Sequence, residues 1–209
     1  MNKRCIIVGG ADINNYEYIK SRLTAEDFFI YCDSGLKHMG ALGVSPNLII
    51  GDFDSHENPH LDVETIVLPR EKDDTDTVYA IKEAINRGFD DFLLIGVVGA
   101  RLDHTLGNVY ILQYLSNRGK KAIIIDDYSD MELVTPGEPG CIGEEYAFFS
   151  LLNITGCAEG ITITGAKYPL ENAKIDSEYQ YGVSNEVLPG HTATVTIERG
   201  SLLLIKDRK

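Results

Sequence analysis

Short apolar runs alternate with amphipathic segments from the N-terminus to about residue 127. Runs rich in Val, Ile, Leu and Phe at 5–8, 28–32, 48–50, 65–68, 92–97 and 122–125 read as strands. Several are apolar throughout, as strands covered on both faces must be. Between them, 77–87 places Val78, Ile81, Ala84 and Ile85 on one face at helical spacing, and Gly88 supplies a left-handed stop. A second helix is expected over 105–117, carrying Leu106, Val109, Leu112 and Leu115 and closed by Gly119. This alternation predicts an α/β domain on a mainly parallel sheet. Beyond Asp127 the texture changes. Pro136, Gly137, Pro139 and Gly140 form a breaker cluster, and strand-like runs at 146–153, 161–164, 192–198 and 202–206 follow, separated by Gly-containing turns. The pattern predicts a small all-β domain of sandwich type, dividing the chain into 1–135 and 136–209.

Composition narrows the possibilities. In 209 residues, 44% hydrophobic and 24% charged, a sizeable core is available. No stretch approaches the roughly 18 apolar residues of a membrane span, and the apolar run before Asp12 is too short for a secretory leader. A formal charge of -13 without a Lys/Arg run argues against nucleic-acid and anionic-membrane partners. Cys5, Cys32, Cys141 and Cys157 form no CxxC pair, so reduced thiols and a cytoplasmic setting are expected.

Acidic and glycine residues collect just after strands: Asp33-Ser34-Gly35, Gly51-Asp52-Phe53-Asp54-Ser55, Lys72-Asp73-Asp74-Thr75-Asp76 and Gly99-Ala100-Arg101-Leu102-Asp103-His104. In open α/β sheets the crevice beyond the carboxyl ends of the strands binds ligands, so these loops are expected to converge on one cavity. If Asp52-Phe53-Asp54 continues an extended strand, both carboxylates point the same way and can face one cation. Hard oxygen donors without clustered His or Cys point to Mg²⁺, and a fixed Arg101 beside them suits a nucleotide polyphosphate. Each motif also has an ordinary reading. Asp73 or Asp74 can cap the next helix with Asp76 favoured by its dipole, Asp33-Ser34-Gly35 can be a turn, Asp103 can be an N-cap, and His104 can be structural.

Taken in order, these motifs, with Asn108 and then Tyr168-Pro169-Leu170 and Ser184-Asn185, resemble the thiamine pyrophosphokinase family over nearly the whole chain. The resemblance implies an α/β catalytic domain followed by a β-sandwich that binds thiamine. It also implies transfer of a pyrophosphoryl group from ATP to the hydroxyl of thiamine, giving thiamine diphosphate and AMP. By position, Asp52, Asp54 and Asp76 would hold Mg²⁺, and Arg101 and Asp103 would join them as catalytic residues. Asp33, Ser34, Lys72, Asp73, Thr75, His104 and Asn108 would contact ATP, with Ser184 and Asn185 on thiamine. Many members have glycine at the position of Ser34, and some have Gln at that of Lys72. With no Trp in the chain, the ring packed on the thiamine pyrimidine would be Tyr or Phe, or its place would be taken by an aliphatic surface. A homodimer with thiamine between the α/β domain of one chain and the β domain of its partner is a further implication. The carboxylate loops alone leave open a Mg²⁺-dependent phosphohydrolase or a kinase for another small molecule. A non-catalytic nucleotide sensor is open as well.

Overall fold

The structure is a computed structural model and describes residues 4–53, 61–71 and 73–209. The chain forms two compact units, Met1–Asp127 and Tyr128–Lys209. In the first, strands β1 (Arg4–Val8), β2 (Phe28–Cys32), β3 (Leu48–Gly51), β4 (Glu64–Val67), β5 (Asp91–Ile95) and β6 (Lys121–Ile125) are all parallel. Their order is β4-β3-β2-β1-β5-β6. The chain therefore steps outward from β1 to β4 and returns to β5 on the other side of β1. This makes the crevice between the ends of β1 and β5 the topological switch point. The last four residues of β1, β2 and β5 are all buried, as a sheet covered on both faces requires.

Helices α3 (Asp76–Asn86) and α4 (Leu102–Ser116) lie where the apolar periodicity places them, α4 beginning one turn earlier than expected. Helix α3 buries Ala80, Ile81 and Ala84. Three short elements carry no legible period: α1 (Tyr16–Ser21), a 3₁₀ segment (Asp33–His38) and α2 (Met39–Leu42). Six and four residues give at most about two turns, too few for a face to repeat.

The second unit is all β among its described residues. Strand β13 (Leu202–Arg208) pairs antiparallel with β7 (Ser129–Val134) and β9 (Tyr146–Asn153). A second antiparallel sheet has the order β11 (Leu170–Asp176), β10 (Cys157–Thr164), β12 (Ala193–Thr196), β8 (Gly140–Ile142). Phe149, Leu151 and Leu204 from one sheet and Ile161, Ile163, Ile175 and Val195 from the other share one buried cluster, which makes the unit a sandwich. The breaker cluster at Pro136 to Gly140 lies inside this unit. Thr135 and Glu138 exchange backbone hydrogen bonds of 3.0 and 3.3 Å there, at the corner where the chain leaves β7 and enters β8. Strand β7 precedes the cluster, so the units part at Asp127 rather than at 135.

Candidate active site

Three carboxylates from three separate loops meet at the carboxyl ends of the central strands. Asp33 follows β2, Asp52 follows β3, and Asp76 opens α3; one oxygen of each lies within 4.8 Å of the others. Asp33 is 5% exposed, and the other two are half-buried. The backbone is bent to bring them together: Asp33 has φ +24° and Phe53 has φ +55°, uncommon values for residues with a side chain. Gly51 permits the approach, since a Cβ there would stand 2.8 Å from that of Asp33. Two carboxylates about 4 Å apart repel by about 4 kcal/mol at an intermediate dielectric. A cluster of three at the rim of a half-buried cleft therefore suits a hard divalent cation, and the donors present fit Mg²⁺. Cys32 lies beside the cluster as a protonated thiol. Burial pushes its thiol far above the ordinary range, and the neighbouring Asp76, Cys5 and Asp33 push the same way.

The cluster opens into a cleft of about 330 Å³ lined by Gly9, Gly10, Asp33, Ser34, Asp52, Thr75, Asp76, Thr77, Arg101 and His104. An adjoining cleft of about 390 Å³ shares Gly9, Gly10, Ser34, Thr77, Arg101 and His104 and adds Gly96, Gly99, Thr105 and Asn108. The two thus follow the switch point between β1 and β5. There Gly9 and Gly96 touch so closely that a Cβ on either would stand 2.5 Å from the other's carbonyl oxygen. The loop between β5 and α4 is held from the helix. Thr105 Oγ1 accepts from the Gly99 amide at 3.0 Å and faces the Gly99 carbonyl at 3.2 Å, and Asn108 Nδ2 donates to the Val97 carbonyl at 2.7 Å. Arg101, at the capping position of α4, makes no capping hydrogen bond with its side chain, and this end turns its positive dipole toward the cleft that Arg101 lines. Arg101 pairs with Asp103 at 2.6 Å. The Asp103 hydrogen bond raises the guanidinium pKa further, and the Arg101 hydrogen bond lowers that of the Asp103 carboxyl, so both stay charged.

Several expectations meet a different arrangement. The left-handed turn at Phe53 breaks the alternation on which a face shared by Asp52 and Asp54 depended. Asp54 itself and Lys72 lie outside the described residues. The carboxylates that converge with Asp52 come from across the sheet, and Asp33 is a full member. Thr75, not Asp73 or Asp74, caps α3, its Oγ1 accepting from the Val78 amide at 3.3 Å. Asp74 pairs with Lys82 at 2.6 Å, and Asp73 is exposed and lines neither cleft. Asp103 likewise lines neither and sits in the first turn of α4, its carboxylate on the His104 amide as well as on Arg101. Thr77, Gly96 and Thr105 line the clefts without having been singled out; a lone Gly inside an apolar run was the only mark of Gly96.

In the second unit, Ser184 takes φ +59°, and its amide donates to Ser150 Oγ at 3.1 Å. Asn185 is 5% exposed and its amide group is already engaged. Nδ2 donates to the Tyr168 carbonyl at 2.8 Å, while Oδ1 accepts from the amides of Tyr168 at 3.0 Å and Glu186 at 2.9 Å. Its backbone exchanges two hydrogen bonds with Phe149. Asn185 thus fixes the backbone beneath the exposed ring of Tyr168.

Fold and cleft together define an α/β protein with a carboxylate-rich site at the ends of its parallel strands, joined to a β-sandwich. The catalytic domain of thiamin pyrophosphokinase matches residues 19–124, and its vitamin B1 binding domain matches residues 140–202. The chain belongs to the thiamin pyrophosphokinase family. A thiamine pyrophosphokinase of Bacillus subtilis (strain 168) is 28% identical over 208 residues, covering 96% of this chain and 97% of its own. The crystal structure of thiamine pyrophosphokinase from Bacillus subtilis superposes with a TM-score of 0.85 at 26% identity, over 99% of this chain and 100% of that one. That of thiamin pyrophosphokinase from Geobacillus thermodenitrificans gives 0.83 at 26% identity, over 99% and 98%.

Proposed function

We propose that this chain is a thiamine pyrophosphokinase, moving the β- and γ-phosphoryl groups of ATP as a unit onto the hydroxyl of thiamine. The observation that carries the reading is the succession of both family domains, in order, with a three-carboxylate cluster in the first. The new bond joins the thiamine oxygen to the β-phosphorus. The bond from that phosphorus to the oxygen it shares with the α-phosphorus breaks, and AMP leaves with that oxygen.

Asp33, Asp52 and Asp76 are the residues placed to hold Mg²⁺, with Asp54 proposed to join them. Bound there, the ion would neutralise polyphosphate charge and polarise the phosphoryl group. Arg101 offers a fixed cation for a phosphate oxygen, and the start of α4 offers amide donors and a positive dipole. Thr75, Ser34, His104 and Asn108 border the same clefts and are proposed to orient the nucleotide. Phosphoryl transfer asks mainly for positioning and charge neutralisation, so the thiamine proton needs only a weak acceptor such as Asp76 or Asp103. The net charge of -13 favours approach of the cationic thiazolium.

Ser184 and the Tyr168 ring are the proposed thiamine contacts in the second unit, Asn185 holding both in place. We further propose a homodimer in which thiamine lies between the first unit of one chain and the second unit of its partner. Leu102, Leu106 and Tyr110 form an exposed apolar stripe along α4 that supports such an interface. The proposed setting is the cytoplasm. No described helix is long and apolar enough to cross a membrane, and the cysteines are free.

The test is the identity of the nucleotide product after incubation with ATP, Mg²⁺ and thiamine. AMP in step with thiamine diphosphate is expected. ADP or inorganic phosphate as the main product would favour an ordinary kinase or a hydrolase.

A further inference from the structure

The segment after β1 walls both clefts, Gly9 and Gly10 bordering each and Ala11 and Asp12 the larger. Its start is tied to the sheet, the Gly9 amide donating to the Ile95 carbonyl at 2.9 Å and the Ala11 amide to that of Gly96 at 2.8 Å. Its far end is tied by the Asp127 carboxylate, which accepts from the Asn14 and Asn15 amides at 2.8 Å each. Between these ties a single buried side chain reaches across from the 3₁₀ segment. His38, 2% exposed, sets Nε2 at 2.8 Å from the Ala11 carbonyl oxygen and Nδ1 at 2.7 Å from the Tyr16 hydroxyl.

Burial favours the neutral ring, and this geometry selects one of its tautomers. A carbonyl oxygen only accepts, so the ring proton sits on Nε2. In the neutral ring Nδ1 is then an acceptor, and the Tyr16 hydroxyl supplies its proton. The neighbouring Lys37–Asp12 pair, 2.7 Å apart, spans the same two segments but is solvent-exposed and contributes little. The 3₁₀ segment that ends at His38 begins at Asp33, a member of the carboxylate cluster.

We propose that His38 is a positioning residue for the nucleotide half of the reaction: clamped between Tyr16 and Ala11, it holds the 9–12 wall in register with the Asp33 end of the carboxylate cluster. The proposal rests on reading these clefts as the ATP site. Its logic is local. Removing the Nε2 donor takes the side-chain partner from the half-buried Ala11 carbonyl, so the wall loses its tie to the 3₁₀ segment and shifts. Polyphosphate would lie against that wall, whereas the side chains proposed to contact thiamine, Ser184 and Tyr168, belong to the second unit. The loss should therefore fall on ATP and spare thiamine.

The experiment compares wild type, His38→Leu, His38→Gln and Tyr16→Phe in steady-state kinetics with each substrate varied, beside direct titration with Mg²⁺ and ATP. The Leu variant should raise the KM for ATP by about tenfold and leave that for thiamine within about twofold. The Gln variant, whose amide can still donate to the Ala11 carbonyl, should return within about threefold of wild type. Tyr16→Phe removes the donor to Nδ1, so the ring keeps its tautomer but loses its second anchor, and it should raise the KM for ATP by a few-fold, a result available even if the Leu variant fails to fold. An unchanged KM for ATP in the Leu or Phe variant overturns the proposal. So does an equal rise for both substrates, or a Gln variant no better than Leu. Wild type that fails to bind ATP at all refutes the reading of the clefts, and this proposal with it. Wild type that binds ATP no more tightly than the Leu variant refutes only the role of His38.

Discussion

Asp33, Asp52 and Asp76 are individually unremarkable acids, and their meaning lies in how close they stand. Mutual repulsion of about 4 kcal/mol per close pair is more than a small domain can ignore against a total stability of about 5–15 kcal/mol. Replacing Asp33 or Asp52 by Asn keeps the shape and removes one negative donor. Turnover is expected to fall about a hundredfold or more, with the Mg²⁺ requirement shifted to higher concentration and the fold intact. Activity at several Mg²⁺ concentrations beside circular dichroism would check this. A variant with normal turnover and metal dependence would place the cation elsewhere. The acids themselves could be read from the chain, Asp33 and Asp52 just after an apolar run and Asp76 at the start of a helix. Which three converge could not. Strand alternation favoured Asp52 with Asp54; Phe53 turns left-handed, a property of tertiary context rather than of residue type, and Asp54 lies outside the described residues. The engaged amide of Asn185 is equally invisible in the sequence, since Tyr168, its partner, lies 17 positions away.

At the scale of elements, the start of α3 separates two jobs that adjoining residues could each perform. Thr75 caps the helix, while Asp76 belongs to the carboxylate cluster. Thr75→Ala should cost about 1 kcal/mol of stability. Asp76→Ala loses a favourable dipole contact of about 0.5 kcal/mol but relieves a larger repulsion, so the metal-free protein should melt no lower than wild type while activity collapses. Thermal melts in chelator, set beside initial rates, distinguish the two; a marked loss of stability in Asp76→Ala would return that residue to a capping role. Strands β1 to β6 and helices α3 and α4 were legible because a two-sided sheet demands apolar runs and a covering helix demands a repeating face. The short elements α1, α2 and the 3₁₀ segment were not. Their positions are dictated by side-chain ties such as Tyr16 to His38, and such ties leave no period. The unit boundary was displaced for a related reason. Pro and Gly mark a change of direction, and here the change is a sandwich corner within one unit.

For the whole molecule, the proposed shared site makes a prediction that single-chain catalysis does not. In purified mixed dimers of Asp76→Ala and Asn185→Ala chains, one site collects both lesions and the other neither, so about half of the wild-type rate per dimer should return. No recovery in verified mixed dimers would mean that each site is built from one chain. The central claim, however, is which phosphorus is attacked, and oxygen labelling reads it directly. ATP carrying ¹⁸O in the bridge between the α- and β-phosphorus is turned over with Mg²⁺ and thiamine, and the products are weighed by mass spectrometry. Attack at the β-phosphorus sends the label into AMP and leaves thiamine diphosphate unlabelled. Label retained in ADP, or released in pyrophosphate, would contradict pyrophosphoryl transfer.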